Sequence, residues 1–414
     1  MSGKKYRIAL VGCGRISKNH FEAIAKLSDR LELAAVCDIV EERAKEYADK
    51  YKVPYYLDHK ELIKKEKVDI VDICTPSGLH PTIGIDFAKM KDIKAVISEK
   101  PMAVENNLAK DLVHICKKKK VRLFVVKQNR LNPTMKLLKE AINKGRFGKI
   151  FMFNTKVYWQ RPQEYYDQAP WRGTRDQDGG AFMNQASHYV DAIHWLFGEI
   201  KSVEARTECM NHDLPGNRYR SFLEKLKYDR DIEDSGTVIF NFEPNDKLGT
   251  DKTIGTMEVT MCAYPKNLEG SITILGEKGS VKIGGTSLNK IDLWEFQDKD
   301  AMDEKVTEAS TEPPNVYGFG HYKYIENVLD IMDGKTGHKE TDTPDGEEGL
   351  YSLELLNAIY KSTIIRKEVY VGKRKLLEHI VLFRHWSRVW LSNFIRSIYE
   401  KTRDLLLWLR RQFI

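Results

Sequence analysis

Three short groups of residues carry the chemistry that this sequence offers. The first is the loop ALVGCGRIS, in which Gly12, Gly14 and Ser17 directly follow an apolar run, and Asp38 ends the next apolar run. Glycines at such a turn let the backbone approach a pyrophosphate, and the free N–H groups of a following helix attract that anion. A carboxylate 24 residues after Gly14 suits ribose hydroxyls and repels a 2′-phosphate. The spacing predicts a dinucleotide site that prefers NAD to NADP.

The second group is Glu99-Lys100-Pro101, at the end of the fourth apolar run. Open parallel sheets present their ligand-binding residues at the carboxyl ends of the strands. Desolvation beside a cationic ring lowers the pKa of an ammonium group, so Lys100 is a candidate to hold a reacting hydroxyl. Glu99 is expected to position Lys100 or to lie on the nicotinamide side.

The third group lies on a predicted helix within DGGAFMNQASHYVDAIHW. His188 has the unperturbed pKa of a base that works near neutrality. Asp191, three residues on, shares its helical face and is expected to orient its ring. His194 lies about 120° around the helix from His188, and no cysteine or carboxylate cluster stands nearby in the sequence. We therefore predict no metal site.

The elements that must position these groups are read from periodicity. Over the first 130 residues, short β-branched runs alternate with amphipathic helical segments, which predicts a Rossmann domain, a parallel sheet with helices on both faces. From about residue 150, longer alternating segments predict an α+β domain with an open antiparallel sheet. The expected fold class is therefore α/β. The expected domains are residues 1–130 for NAD, 131–372 for substrate and oligomerisation, and 373–414 as an extra amphipathic helix.

Smaller elements follow from the same patterns. Helical segments are predicted at residues 180–196, 321–332 and 347–365. The stretch from 298 to 314, rich in Asp, Glu and Thr, predicts a solvated loop.

The net charge of +7 is concentrated at one end of the chain. Residues 373–414 hold ten Lys and Arg against three Asp and Glu, so the remaining 372 residues sum to zero. A nucleic-acid-binding body is therefore not expected. From residue 376 onward apolar residues recur every three to four positions with Arg between them, which predicts a basic amphipathic helix. Docking on a membrane surface and docking on protein both fit this pattern.

Composition bounds the cellular setting. The chain has 414 residues, 42% hydrophobic and 31% charged, and six cysteines without a C-x-x-C pair, which indicates reduced thiols. The N-terminus lacks a signal-peptide core, and no uncharged apolar run approaches the roughly 18–20 residues of a membrane span. We expect a cytoplasmic protein, peripheral at the inner face of the membrane if the tail binds lipid.

Four separated motifs carry a resemblance. The glycine loop, VDIVDICTPSGLHP, Glu99-Lys100-Pro101 and DGGAFMNQASHYVDAIHW together resemble the Gfo/Idh/MocA family of NAD(P)-dependent sugar and inositol oxidoreductases, over about residues 5–372. Within that family, RPQEYYDQAPWRGTRDQDGGAFMNQASHYVD, AYPKNLEGSITILGEKGSVKIGG and NVYGFGHYKYIENV are most similar to UDP-N-acetyl-2-amino-2-deoxyglucuronate 3-dehydrogenases of the WlbA/WbpB type. The resemblance implies NAD-dependent oxidation of the C3 hydroxyl of a UDP-N-acetylglucosaminuronate-type sugar to a 3-keto sugar. It also implies surface polysaccharide biosynthesis and a homo-oligomer, either dimer or tetramer.

The resemblance further implies roles for individual residues. Lys100 and His188 are expected to be catalytic, with His188 the favoured base, although the reverse assignment stays open. Asn184 stands where many members carry Asp, so it can orient a hydroxyl but cannot take its proton. Cofactor contacts are expected from Gly12, Gly14, Arg15, Ile16, Asp38, Thr75, Pro76, His80, Glu99, Lys100, Gln128, Trp171 and Arg172. Substrate contacts are expected from Lys100, Tyr158, Arg161, Arg172, Asn184, His188 and Tyr264.

Two other functions fit the same residues. Another sugar or cyclitol dehydrogenase or reductase of the family would use the same apparatus. A non-catalytic NAD-binding interaction protein, brought to membranes by its tail, would show no turnover. The presence of both Lys100 and His188 argues against the second of these.

Overall fold

The computed structural model describes residues 5–218, 232–246, 248–250, 252–285, 287–311 and 320–371. The amphipathic helix predicted for residues 373–414 lies outside this set. The described residues up to 369 belong to one compact unit. Within the described ranges, no helix combines the length and the apolar character that crossing a membrane requires.

The first sheet has six parallel strands in the order β3-β2-β1-β4-β5-β6. This is the strand order of a dinucleotide-binding Rossmann fold. Strands β4 and β5 are buried at every residue, because helices cover both faces of the sheet. The strands are β1 (Tyr6–Val11), β2 (Leu31–Cys37), β3 (Tyr55–Tyr56), β4 (Ile70–Ile73), β5 (Ala95–Ser98) and β6 (Arg122–Val125).

Helices connect these strands in the expected alternation. Their N-terminal ends follow the carboxyl ends of the strands, as right-handed βαβ crossovers require. They are α1 (Ser17–Lys26), α2 (Glu41–Tyr51), α3 (His59–Lys65), α4 (His80–Ala88) and α5 (Asn106–Lys119), with single 3₁₀ turns at Ser77–Leu79 and Gln128–Leu131.

The second sheet has eight strands in the order β13-β12-β11-β7-β10-β9-β8-β14. It is mixed rather than wholly antiparallel, because β7 and β10 run parallel, with Val157 opposite Val259. Apart from that one difference the predicted fold class is confirmed. The strands are β7 (Ile150–Tyr158), β8 (Ile200–Glu208), β9 (Ser235–Phe242), β10 (Ile254–Thr260), β11 (Glu269–Gly276), β12 (Gly279–Gly284), β13 (Lys290–Phe296) and β14 (Val369–Tyr370).

The helices of the second half depart from the predicted bounds in two places. The predicted helix at 180–196 is divided into α8 (Ala181–Asn184) and α9 (Ser187–Phe197). The predicted loop at 298–314 contains a 3₁₀ helix, Ala301–Lys305, and α11 (Val306–Ala309), because Asp300 and Asp303 form a capping box. The other helices are α6 (Pro133–Asn143), α7 (Gln163–Asp167), α10 (Pro215–Arg218), α12 (Gly320–Met332), α13 (His338–Thr341) and α14 (Gly346–Ile365).

Helix α12 completes the core of the first sheet, although it lies far along the chain. Its buried face places Tyr324, Val328 and Leu329 in one hydrophobic cluster with Leu10 of β1 and Phe21 of α1. A helix from residues 131–372 therefore contributes to the hydrophobic core of the first sheet. This packing also brings His321 of α12 behind the end of β5.

Candidate active site

A cleft of about 1220 Å³ opens at the carboxyl ends of the parallel strands. Its walls include Gly12 to Ile16 after β1, Asp38 after β2, Thr75 after β4 and Lys100 after β5. Adjacent parallel strands end at the same sheet edge, which is why residues so far apart in sequence meet here. The opposite wall comes from the segment 168–172 and from α8 and α9.

The two loop glycines have different reasons for being glycine. Gly12 has φ +97°, and a Cβ there would lie 2.7 Å from the backbone of Cys74. A Cβ on Gly14 would meet nothing within 4 Å. Gly12 therefore serves the close approach of β1 to the turn after β4, whereas Gly14 leaves open space in the cleft for a ligand. Ser17 closes the loop by donating its hydroxyl to the Gly14 carbonyl at 2.6 Å.

Asp38 is fixed by its backbone surroundings. Its Oδ2 accepts the Cys13 N–H at 2.7 Å, and its Oδ1 accepts the Val40 N–H at 2.8 Å. The carboxylate is held at the cleft wall beside the glycine loop. It stands where a ribose diol is bound in folds of this kind.

The difference between the two glycines gives a testable contrast. Gly14→Ala is expected to leave the thermal stability of the free protein unchanged while weakening NADH binding by roughly 10-fold or more, because the methyl group fills only ligand space. Gly12→Ala is expected to lower the melting temperature, because its methyl group meets backbone atoms. Thermal denaturation and NADH titration measure the two effects. Equal destabilisation by both variants would contradict the assignment of Gly14.

Lys100 reaches into the cleft from the end of β5. Its Nζ donates to the backbone carbonyl of Asn184 at 2.9 Å, and its backbone N–H donates to Glu99 Oε2 at 2.8 Å. Burial lowers the pKa of Lys100 to about 8, and the charge of Glu99 opposes that change. The charges of Lys127 and Arg161 also lower the Lys100 pKa. An ammonium tuned in this way can donate to an oxygen near neutral pH.

His188 lines the same region of the cleft from α9. Its Nδ1 is buried and has no hydrogen-bond partner among the described residues. Burial, followed by the charges of Lys100 and Lys127, lowers the pKa of His188 well below its usual value. The imidazole is therefore neutral at pH 7 and able to accept a proton.

Asp191 does not orient His188, contrary to the expectation from their spacing. Its two carboxylate oxygens accept hydrogen bonds from Nε and Nη2 of Arg130, both at 2.8 Å. Ser352 Oγ donates a third hydrogen bond to Asp191 Oδ1 at 2.9 Å. Lys127 Nζ lies 3.7 Å from the same carboxylate. A bidentate arginine pair outcompetes a single imidazole for a buried carboxylate. Asp191 thus anchors α9 to the 3₁₀ turn after β6.

Asn184 is held by a carboxylate that the sequence reasoning missed. Its Nδ2 donates to Asp178 Oδ1, and Asp178 Oδ2 accepts the Gly173 N–H at 2.7 Å. Burial raises the pKa of Asp178, while these hydrogen bonds and nearby cations oppose the change. The amide of Asn184 therefore has a fixed orientation at the cleft. The sequence signal was the Asp directly before Gly179-Gly180.

Lys127 is the second residue that sequence reasoning missed. It is 3% exposed, lies two residues after β6 and influences the pKa of both Lys100 and His188. Its position near the end of a strand, next to Gln128, was the sequence feature that could have placed it at the site. That position does not predict that the lysine side chain is buried.

A cationic cluster of Arg161 and Arg172 on Tyr165 stands at the edge of the cleft: Tyr165 and Arg172 line the cleft, and Arg161 lies outside its lining. The guanidinium carbon of Arg172 lies 3.9 Å from the ring centroid of Tyr165, and that of Arg161 lies 5.4 Å from the same centroid. Gln185 Nε2 donates to Tyr165 Oη at 3.4 Å. Stacking fixes both guanidinium groups on one tyrosine, an arrangement that suits an anionic ligand. Trp171 and Arg172 both line the cleft.

Four predicted site residues lie outside the cleft lining. Both ring nitrogens of His80 contact backbone carbonyls, those of Pro101 and Thr75, so it braces the two loops from behind. Tyr158 donates to Glu258 across the second sheet, and Tyr264 is 83% exposed. The Arg161 guanidinium donates to the Gln160 carbonyl at 2.6 Å. Alternation along β7 sends Tyr158 to the face opposite the buried Val157.

Unpartnered polar atoms test whether the cleft fits NAD. Within the described residues, four buried side-chain atoms at the cleft lack a hydrogen-bond partner: Thr75 Oγ1, Gln128 Oε1, Arg172 Nε and His188 Nδ1. Buried polar groups are normally paired, so these atoms indicate a polar ligand. The space above Gly14 and the fixed Asp38 carboxylate suit its pyrophosphate and ribose. The residues present therefore fit the dinucleotide.

A glycine loop opening a Rossmann sheet, with a part-buried lysine at the end of a neighbouring strand and a neutral histidine on a helix that lines the same cleft, defines an NAD-dependent oxidoreductase. Comparison with known proteins agrees. Residues 6–127 match the description "Oxidoreductase family, NAD-binding Rossmann fold", and residues 139–371 match "Oxidoreductase family, C-terminal alpha/beta domain". The chain belongs to the Gfo/Idh/MocA oxidoreductase family, whose members include NAD-dependent sugar and polyol dehydrogenases.

Solved structures and curated proteins supply more specific likenesses. A WlbA dehydrogenase from Chromobacterium violaceum, in complex with NADH and UDP-GlcNAcA, is 44% identical, with a TM-score of 0.79 over 90% of this chain and 97% of that one. The corresponding complex from Bordetella pertussis is 42% identical, with a TM-score of 0.80 over 90% and 99%. A myo-inositol 2-dehydrogenase from Thermotoga maritima is 30% identical over 196 residues, which are 47% of this chain and 55% of that protein.

Proposed function

We propose that this protein oxidises the C3 hydroxyl of UDP-N-acetylglucosaminuronate, or of a closely related UDP-sugar acid, to the 3-keto sugar. The observation that carries the proposal is the 42–44% identity, over 90% of the chain, to dehydrogenases crystallised with NADH and UDP-GlcNAcA. The cationic cluster around Tyr165 supports it, because the substrate carries a carboxylate and a diphosphate. A 3-keto sugar is suited to transamination, and the sequence resemblance suggests surface polysaccharide synthesis as the setting.

In this mechanism the chain's own residues hold the hydroxyl and remove its proton. NAD, bound against the glycine loop and Asp38, would supply the ring that accepts a hydride, one proton with two electrons, from the sugar carbon. The Lys100 ammonium donates to the hydroxyl oxygen and stabilises the negative charge that grows there. The neutral His188 accepts the hydroxyl proton. Asn184, fixed by Asp178, orients the hydroxyl between them.

A substrate panel tests the proposal. NADH formation is expected with UDP-N-acetylglucosaminuronate and is expected to be far weaker with UDP-N-acetylglucosamine, free sugars or myo-inositol. Arg172→Gln is expected to raise KM for the sugar acid by roughly 10-fold to 100-fold, because a charge-assisted contact is lost.

The matched control is Arg175→Gln in the same segment. Arg175 Nη2 donates to Asn217 at 3.3 Å, and Arg175 does not line the cleft. KM for the sugar acid should therefore stay within a few-fold of normal. Faster turnover of inositol or a free sugar would favour another dehydrogenase activity of the family. If no compound in the panel gave NADH, that result would contradict an enzymatic role.

A further inference from the structure

A buried histidine lies behind Lys100 between two carboxylates. His20 of α1 has its Nδ1 2.7 Å from Asp72 Oδ2 and its Nε2 3.0 Å from Glu99 Oε1. His20 and Asp72 are 0% exposed and Glu99 is 4% exposed. The three residues come from α1, β4 and the end of β5, so the fold itself brings them together. The sequence motifs predicted no role for His20 or Asp72, and none that links Glu99 to His20.

The hydrogen-bond geometry fits a charged His20. An ionised carboxylate only accepts hydrogen bonds, so a ring placed between two ionised carboxylates carries a proton on each nitrogen and is an imidazolium. Burial opposes that charge, but the charge of Asp72 raises the pKa of His20 well above its usual value. Glu99 is held ionised in return: burial works against it, but the hydrogen bond with His20 and the nearby His321, whose Nε2 lies 3.6 Å from Oε1, keep the Glu99 pKa well below the usual value.

The cluster is connected to Lys100 through Glu99. The Glu99 Oε1 atom contacts His20, and its Oε2 accepts the Lys100 backbone N–H at 2.8 Å. Both oxygens of the carboxylate are thereby fixed in place. The charges alternate along the line Asp72, His20, Glu99 and Lys100, so the buried set is balanced when Lys100 is an ammonium.

We propose that His20 is a positioning residue, which, as an imidazolium clamped between Asp72 and Glu99, fixes Glu99 against the Lys100 backbone and balances the charge around the Lys100 ammonium. The significance of the ammonium rests on the proposed function. The clamp itself does not.

The other charged and titratable groups around the clamp are accounted for. Cys74 after β4 and His321 from α12 also face His20, with the His20 and His321 ring centroids 5.1 Å apart. Tyr324 from α12 lies close enough to Glu99 and Asp72 for their charges to raise its pKa. Lys100 is also faced by Lys127, Asp178 and Arg161. These groups are unchanged in the variants below, so they do not alter the sign of the expected shifts.

Two substitutions are expected to move the Lys100 pKa in opposite directions. His20→Gln removes the buried positive charge that offsets Asp72 and Glu99, and is expected to raise the Lys100 midpoint by about one unit. Asp72→Asn removes a negative charge and is expected to lower the midpoint by a similar amount. A merely structural role would give no shift, or shifts of the same sign.

The measurement is the pH dependence of Lys100 acylation by a small reagent, read by peptide mass spectrometry on the full chain. It needs no substrate, so it remains informative even if the proposed reaction is wrong. Asp86→Asn is the control, because it also removes a carboxylate that contacts a histidine: Asp86 Oδ2 lies 3.0 Å from His59 Nε2, in a part-buried pair that does not include Lys100. This control is expected to leave the midpoint unchanged. Should His20→Gln fail to fold, Asp72→Asn alone still decides the sign.

A second readout examines His20 directly. ¹⁵N NMR of the wild type, assigned with His20→Gln, should show both ring nitrogens protonated at a pH well above the ordinary histidine value of about 6.5. A neutral His20 would overturn the proposal. So would a stoichiometric metal in purified protein, because the ligand atoms of His20, Glu99 and His321 lie within 4.8 Å of one another.

Discussion

Lys100→Met is expected to lower kcat/KM by roughly 10³-fold while leaving NADH affinity within a few-fold of normal. Methionine preserves the length of the side chain but removes the ammonium that lies 2.9 Å from the Asn184 carbonyl. The growing negative charge on the substrate oxygen then has no buried donor at this position. Absorbance of NADH with UDP-N-acetylglucosaminuronate measures the rate, and fluorescence titration measures NADH binding.

Lys139 provides the matched control for that substitution. It is also a largely buried lysine, and burial lowers its pKa to about 8. Its Nζ donates to the backbone carbonyls of Trp195 and Leu196 at the end of α9, outside the cleft lining. Lys139→Met is expected to reduce stability and to leave kcat/KM within a few-fold of normal. If Lys100→Met kept more than a tenth of the wild-type kcat/KM, Lys100 would not be catalytic.

The part of the site that follows the parallel strands could be predicted from the sequence. Apolar runs locate the strands, and the carboxyl ends of parallel strands lie at one edge of the sheet. Once the strands are recognised, Asp38, Thr75 and Lys100 are therefore predicted to lie together, as they do in the cleft. The spacing of Gly12 and Gly14 also predicts where the pyrophosphate of the dinucleotide lies. These inferences need only local periodicity and a general rule of topology.

The part that depends on side-chain direction and pairing could not be predicted. Tyr158 was expected at the cleft, but its direction depends on which face of β7 is buried. Asp191 was paired with His188 by helical spacing, whereas its partner Arg130 lies 61 residues earlier in the chain. His80 was expected to contact cofactor, yet its two carbonyl partners appear only in the folded loops. Tertiary contacts decided all three.

Burial decides the chemistry of the site as much as residue type does. Lys127 has no sequence signature that separates it from a solvated charge, yet it is 3% exposed and lowers the pKa of both Lys100 and His188. Its effect comes from the low dielectric around it, which strengthens every interaction between charges. The electrostatics of Lys100 and His188 therefore follow from tertiary packing rather than from the motifs.

His188→Asn is expected to lower kcat/KM by roughly 10²-fold to 10⁴-fold, because the base that accepts the hydroxyl proton is lost. The pH profile adds a sharper readout. With His188 as base and Lys100 as ammonium, kcat/KM of the wild type rises through the lowered His188 pKa, below about 6.5, and falls as Lys100 deprotonates near its pKa of about 8. The variant should lose the acid limb and keep the alkaline limb.

The sign of the alkaline limb decides between the two candidate bases. If Lys100 took the proton, it would have to be neutral, so kcat/KM would rise rather than fall as the pH passes about 8. His194→Gln controls for loss of a buried histidine from the same helix, since His194 contacts the Gly198 carbonyl at 3.1 Å and does not line the cleft. That variant should keep both limbs. A rising alkaline limb in the wild type, with His188→Asn still active, would transfer the role of base to Lys100.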